Sequence, residues 1–314
     1  MKILATRPWK EWEKQAIARE VKDAEFLEPG PQGTIEELID RADVMFGSSQ
    51  VPMNRVVRSK PLKLIQARST GADRFLVDGF KKSPIMLATA RGVHAPPVAE
   101  HAVALMMALA YNLRVNDKSQ REKIWSEHSI GRLYGKTAGI LGMGTIGEEI
   151  AKRCIGLDMR VIGIRKDASK RSSSVDSVFS PDQLLEFLAA SDAVLCSLPG
   201  TRDTRHLLAE REFRAMKPSA FLVNVGRGTV ISEEALIKAL SERWIAGAGL
   251  DVFEREPLPT ESPLWNMKNV IITPHSAGYA PENDEKIMGV LIQNLVSLQK
   301  GLPLVNVVDK EAGY

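Results

Sequence analysis

The chain has 314 residues, 44% hydrophobic and 26% charged, an ordinary globular composition and long enough for two cores of about 100 to 200 residues each. Lys plus Arg exceed Asp plus Glu by only three, and the basic residues are scattered, so neither nucleic acid nor an anionic membrane is called for as partner and a small molecule is expected instead. Cys154 and Cys196 have no CxxC or His-rich companion, which predicts neither disulfide nor metal site and fits a reducing cytoplasm.

The first apolar run, "KILA", is shorter than the roughly 7 to 15 residues of a signal core. The most apolar segment, "AVALMMALAY" from Ala102 to Tyr111, falls short of the roughly 20 residues of a membrane span and predicts a buried helix. A cytoplasmic protein without membrane attachment is expected.

Along the chain, β-like runs "KILAT", "ADVMFG", "LKLIQA" and "IMLATA" alternate with helical patterns such as "KEWEKQAIAREV" and "TIEELIDRA", the pattern of a parallel α/β unit. Gly47 to Val51 ("GSSQV") is a candidate lining for a side-chain pocket. Pro96 and Pro97 open a long apolar helix and suggest a boundary near residue 98, since proline is tolerated in a first helical turn and not deeper. After Thr137 the alternation restarts with "TAGIL", "RVIGI", "AVLCSL", "AFLVNV", "AGAGLD" and "NVIITP", six strands as a doubly wound nucleotide domain requires. A last helix, "PENDEKIMGVLIQNLVSLQKG", follows and is expected to complete the first domain.

Gly142, Gly144 and Gly147 form G-x-G-x-x-G between the strand "AGIL" and the helix "EEIAKR". There the first glycine permits a tight turn, the second lets backbone approach a pyrophosphate, and the third lets helix pack on strand. With Thr145 and Ile146 they are the candidate cofactor contacts. The strand "RVIGI" ends at Ile164, and Arg165 stands 18 residues beyond Gly147, where NAD-preferring domains carry an acid for the ribose hydroxyls. With Lys166, Lys170 and Arg171 behind it, and Ser172 to Ser174 as possible hydroxyl contacts, Arg165 predicts NADP(H) over NAD(H). A solvated basic loop is the alternative.

The ordered segments "STGAD" (69 to 73), "VAEHAVALMMALA" (98 to 110), "GILGMGTIG" (139 to 147), "FLVNVGRGTVISEEAL" (221 to 236), "GLDVFEREPLP" (249 to 259) and "ITPHSAG" (272 to 278) together resemble the D-isomer-specific 2-hydroxyacid dehydrogenases. That family includes glyoxylate/hydroxypyruvate reductases, phosphoglycerate dehydrogenases and formate dehydrogenase. The resemblance implies two doubly wound parallel-sheet domains, with a Rossmann dinucleotide-binding domain (99–276) inserted into a flavodoxin-like substrate domain (1–98 and 277–314).

By the same resemblance Arg227, Glu256 and His275 match the catalytic residues. The chemistry fits these types: a planar guanidinium can hold the carboxylate and ketone oxygens of a 2-oxoacid, and an imidazolium can protonate the oxygen left negative by hydride. Glu256 would orient the imidazole and favour its charged form; Glu254, two residues away, is its competitor. Arg227 read without the family is a surface ion-pair residue, except that it follows an apolar strand, where α/β ligands bind.

Ser69, Thr70, Gly71 and Ala72 are implied as substrate contacts, their amides suited to an anion-binding nest, with a plain turn as the other reading. Asp251 is implied to fix the nicotinamide amide, against a strand-end turn Asp. His94, His101, His128 and His206 read as structural. The 98 to 110 helix implies a homodimer, in which Trp125 either reaches the partner's site or packs within its own chain. The implied function is an NADPH-preferring reductase of small 2-oxoacids to D-2-hydroxyacids, with glyoxylate and hydroxypyruvate as leading substrates. The alternatives are a phosphoglycerate dehydrogenase and a nicotinamide-sensing, corepressor-like binding protein.

Overall fold

Short apolar runs separated by helical segments fold as parallel strands buried on both faces, and the computed structural model, which describes residues 1–31, 33–47, 51, 53–167 and 175–314, contains two such sheets. The chain divides into two compact units, Met1–His94 with Ala280–Tyr314, and Ala95–Tyr279.

The first unit runs β1 (Lys2–Ala5), α1 (Glu11–Glu20), β2 (Glu25–Leu27), α2 (Ile35–Leu38), β3 (Val44–Gly47), α3 (Met53–Val56), β4 (Leu64–Ala67), α4 (Asp78–Lys81) and β5 (Met86–Ala88). Its strands are all parallel in the order β2-β1-β3-β4-β5, the flavodoxin-like arrangement. Side chains of a strand alternate between faces, and two cores result. Leu4, Met45, Ile65 and Leu87 enter one; Ile3, Ala5, Val44, Phe46, Leu64 and Ala88 enter the other.

The second unit begins with α5 (Ala95–Ala110), whose first turn holds Pro96 and Pro97, and continues with α6 (Leu113–Arg121), β6 (Thr137–Leu141), α7 (Thr145–Ile155), β7 (Arg160–Ile164), β8 (Ser177–Phe179), α8 (Leu184–Ala190), β9 (Ala193–Cys196), α9 (Glu210–Ala215), β10 (Phe221–Asn224), α10 (Glu233–Ser241), β11 (Gly247–Leu250) and β12 (Val270–Ile272). Seven parallel strands lie in the order β12-β11-β10-β9-β6-β7-β8, the doubly wound nucleotide-binding order extended by one strand. The small Ala and Gly side chains of β11 let α5 pack close, with Leu105 against Gly249.

All ten predicted strands are present. β2 and β8, three residues each, are additional; such short edge strands carry too little pattern to read in sequence. The last helix, α11 (Asn283–Lys300), belongs to the first unit, where Ile287, Met288, Leu291 and Leu295 join the core beside Ile3 and Phe46. Gly301 ends it in the left-handed conformation, φ +66°.

Both cysteines are free and buried, and burial pushes each thiol up to about 12, leaving no thiolate for redox or metal chemistry near neutral pH. Among the described residues no cluster of His, Cys, Asp or Glu has the makings of a metal site, and no helix is long and apolar enough to cross a membrane.

Candidate active site

Parallel strands direct all their C-terminal ends to one edge of the sheet, where α/β proteins bind ligands. Three neighbouring strands of the second unit end there in chemically capable residues: Arg227 shortly after β10, Asp251 directly after β11 and His275 shortly after β12. Gly142 follows β6 and Arg165 follows β7 along the same edge.

The Arg227 turn is built by Asn224, a buried residue at the end of β10. Its side-chain amide donates to the Arg227 carbonyl at 3.0 Å and its carbonyl oxygen accepts from the Gly226 amide at 3.1 Å. The flanking glycines are sterically required. A Cβ on Gly226 would meet the Leu198 carbonyl at 2.5 Å, and one on Gly228 would meet the Phe253 backbone at 1.9 Å. Arg227 itself donates through Nη1 to the Gly226 carbonyl at 2.8 Å and remains partly exposed.

His275 Nδ1 and Glu256 Oε2 are 2.7 Å apart, so Nε2 is the nitrogen left to exchange a proton with a bound molecule. The other Glu256 oxygen accepts from the Phe253 amide at 3.2 Å. Glu254 goes elsewhere: its Oε1 meets His206 Nε2 at 2.9 Å and the Glu233 amide at 2.9 Å. Burial, joined by the negative charge of Glu254, raises the Glu233 carboxyl above its usual range. Of the two candidate carboxylates, Glu256 is the one brought to His275.

Asp251 is 1% exposed and holds the turn that carries His275. Oδ1 accepts from the Thr273 hydroxyl at 2.6 Å and the Ser276 amide at 2.9 Å, and Oδ2 accepts from the Ala277 amide at 3.1 Å. These partners lie 22 to 26 residues away in sequence, beyond any local motif.

The glycine turn fits a dinucleotide. Gly142 has φ +108°, a Cβ on Gly147 would lie 2.1 Å from the Gly142 carbonyl oxygen, and one on Gly144 would meet nothing within 4 Å. The turn is thus tight, the helix is close against it, and the approach beside Gly144 is open. Gly144 and Thr145 are exposed and Ile146 half-buried at the start of α7, which has no side-chain cap. Its first amides are therefore available to phosphate. Arg165 Nη1 stands 3.9 Å from Glu148 Oε1, on the first turn of α7; the sequence reading missed this acid. Lys166 is exposed, while Lys170, Arg171 and Ser172 to Ser174 lie outside the described residues, as do residues 48–50 of the Gly47 to Val51 segment.

In the first unit, Ser69 to Ala72 follow β4. Ser69 Oγ donates to the Gly71 carbonyl at 2.9 Å, and the Ala90 amide donates to the Ser69 carbonyl at 2.9 Å. The Thr70 hydroxyl is buried without a hydrogen-bond partner among the described residues.

A sequence profile for "D-isomer specific 2-hydroxyacid dehydrogenase, NAD binding domain" matches residues 103–277. Glyoxylate reductase of Korarchaeum cryptofilum is 34% identical over 90% of this chain and 87% of its own. Among solved structures, a D-isomer specific 2-hydroxyacid dehydrogenase family protein from Aeromonas salmonicida is similar at a TM-score of 0.88, with 30% identity over 98% of this chain and 99% of that one. The NADPH-dependent glyoxylate/hydroxypyruvate reductase of Sinorhizobium meliloti, solved with NADP and sulfate, aligns at a TM-score of 0.85 with 25% identity, over 100% and 99% of the two chains. The chain belongs to the D-isomer specific 2-hydroxyacid dehydrogenase family, whose members are NAD(P)-dependent oxidoreductases.

Proposed function

We propose that the protein reduces small 2-oxoacids to D-2-hydroxyacids in the cytoplasm, preferring NADPH, with glyoxylate and hydroxypyruvate as its substrates. The observation that carries this reading is the 2.7 Å Glu256–His275 pair on the same sheet edge as Arg227. Relatives with glyoxylate reductase activity in their names support the substrate class.

Reduction of the 2-oxo carbonyl needs a hydride, which a bound nicotinamide cofactor supplies, and a proton. Arg227 binds the 2-oxoacid through its forked donors and orients that carbonyl. His275 delivers the proton from Nε2 to the carbonyl oxygen as negative charge develops there, while Glu256 on Nδ1 holds the ring in position. In the reverse direction neutral His275 takes the hydroxyl proton. The amides and hydroxyls of Ser69, Thr70, Gly71 and Ala72 contact the substrate. Gly142, Gly144, Thr145, Ile146 and Gly147 hold the pyrophosphate, Arg165 and Lys166 the 2′-phosphate, and the remaining lone pair on Asp251 Oδ2 the nicotinamide amide. The homodimer reading is supported by the arm after α6, where Trp125 is 94% exposed alongside exposed Ile124, Ile130 and Tyr134, an apolar set of the kind that marks a protein contact.

Oxidation of NADPH and NADH with glyoxylate, hydroxypyruvate, 3-phosphohydroxypyruvate and bulkier 2-oxoacids tests the proposal. Turnover of the two small acids with NADPH is expected. Preference for the phosphorylated acid moves the assignment to phosphoglycerate oxidation, and tight NADPH binding without turnover of any 2-oxoacid overturns the enzyme reading.

A further inference from the structure

His275 adopts φ +52°, a left-handed conformation unfavourable for a non-glycine residue that persists where surrounding bonds over-determine it. Those bonds converge on Asp251. The Asp251 carbonyl accepts from the His275 amide at 2.9 Å, and the Asp251 carboxylate accepts from the next two amides of the turn. The same carboxylate accepts from the Thr273 hydroxyl, and behind Thr273 stands His101 of α5, its Nε2 2.9 Å from Thr273 Oγ1 and 3.6 Å from Asp251 Oδ1.

Proton counting fixes the direction of this chain. A carboxylate with three donors aimed at it only accepts, so the single hydroxyl proton of Thr273 goes to Asp251. Thr273 Oγ1 then accepts from His101, and His101 Nε2 carries a proton. The opposite tautomer would make Nε2 a second acceptor competing for the Thr273 proton and leave Asp251 Oδ1 one donor short.

We propose that His101 is a positioning residue for the reaction: its Nε2–H anchors a donor chain through Thr273 to Asp251 that holds the His275 turn. The proposal rests on the assignment of His275 as proton donor. His101 touches neither His275 nor the reacting atoms; it acts by keeping the imidazole in place, where a misplacement of about 1 Å is worth on the order of a hundredfold in rate.

Three single variants, one double variant and one spectrum test it. Substitution of His101 by Leu keeps bulk and removes the donor, His101→Gln keeps an N–H near the position of Nε2, and Thr273→Val removes the hydroxyl. H101L and T273V are each expected to lower kcat for glyoxylate reduction by about ten- to a hundredfold with KM for glyoxylate within about threefold of wild type. H101Q is expected within about threefold of wild type in kcat, and the H101L/T273V double variant no worse than either single one, because both cut one chain. Nitrogen-15 NMR of histidine-labelled wild-type protein should find His101 protonated on Nε2. That measurement needs no turnover, so a wild type inactive on every 2-oxoacid defeats the reductase reading while the spectrum still reports on the chain. An Nδ1–H neutral tautomer, unchanged kcat in H101L, or H101Q as impaired as H101L each overturns the proposal. Should H101L fail to fold, T273V and H101Q decide it.

Discussion

At the residue scale, the backbone that launches the Arg227 guanidinium is tightly built: Gly226 and Gly228 cannot gain a side chain without striking backbone, and Asn224 locks the carbonyl of Arg227. Arg227→Ala is expected to raise KM and lower kcat together, with a loss in kcat/KM of at least about 2–4 kcal/mol. A change below tenfold in steady-state assays would remove Arg227 from the site. The Glu256–His275 pair sets the proton-transfer step: Glu256 holds the ring through Nδ1 at 2.7 Å and leaves Nε2 to the substrate. Glu256→Gln is expected to lower kcat for reduction by about ten- to a hundredfold with KM for the 2-oxoacid little changed. An unchanged kcat in steady-state assays would remove Glu256 from the site.

At the scale of elements, the strand, its following turn and the next helix form the working part of the molecule. β6, the glycine turn and α7 were legible because a spaced glycine triplet between an apolar strand and a helix has few other physical causes. Gly142 is explained by its positive φ and Gly147 by a close backbone approach, while Gly144 leaves the turn open to a ligand. Arg227, Glu256 and His275 were legible through ordered segments at strand ends, though only the family pattern, a Glu directly before Pro257, chose Glu256 over Glu254; the fold sends Glu254 to His206. Contacts that cross between strand ends were not legible. Asp251 reaches Thr273, Ser276 and Ala277, and His101 lies 172 residues from Thr273, so His101 read as an ordinary core histidine. Glu148 escaped notice for a similar reason, because its relation to Arg165 depends on how α7 packs beside β7. This pairing bears on the proposed cofactor choice: with Arg165 Nη1 3.9 Å from Glu148 Oε1, Glu148 would compete with a 2′-phosphate for Arg165. NADPH is expected over NADH by about ten- to a thousandfold in kcat/KM, equal to about 1.4–4 kcal/mol. Arg165→Asp should erase or reverse that ratio and leave the order of 2-oxoacids intact. An R165D enzyme that still selects NADPH as strongly as wild type would show that another group grips the phosphate.

For the molecule as a whole, the long return of the chain from its second unit to its first raises the question of what fastens the returning segment. Packing of α11 into the first core is one part. The other is a charged network at its N-terminus. Asp284 meets Lys10 at 2.7 Å and Arg68 at 2.6 Å, and Arg68 approaches Glu13 at 4.0 Å. Glu13, whose side chain is 0% exposed, also takes Arg7 Nη1 at 3.0 Å and the Lys10 amide at 2.9 Å. Burial pushes the Glu13 carboxyl up, but the hydrogen bonds from Arg7 and Lys10 and the charges of Arg7 and Arg68 outweigh it, leaving the group below its ordinary value of 4.5. A carboxyl depressed in the folded state contributes stability that is fully present above that ordinary value. The contribution is lost as pH falls through the lower, folded-state titration. Glu13→Gln is therefore expected to destabilise the first unit by about 1.5–3 kcal/mol at pH 7, the range for a hydrogen bond to a charged group. The gap to wild type should close as the pH is lowered below 4.5. Two units need not unfold together, so the measurement is amide hydrogen exchange in β1 and β3, which reports on the first unit alone, in wild type and E13Q across acid to neutral pH. A gap that stays constant over that range would assign the loss to packing of the side chain, and the network would then fasten α11 by shape with no contribution from charge.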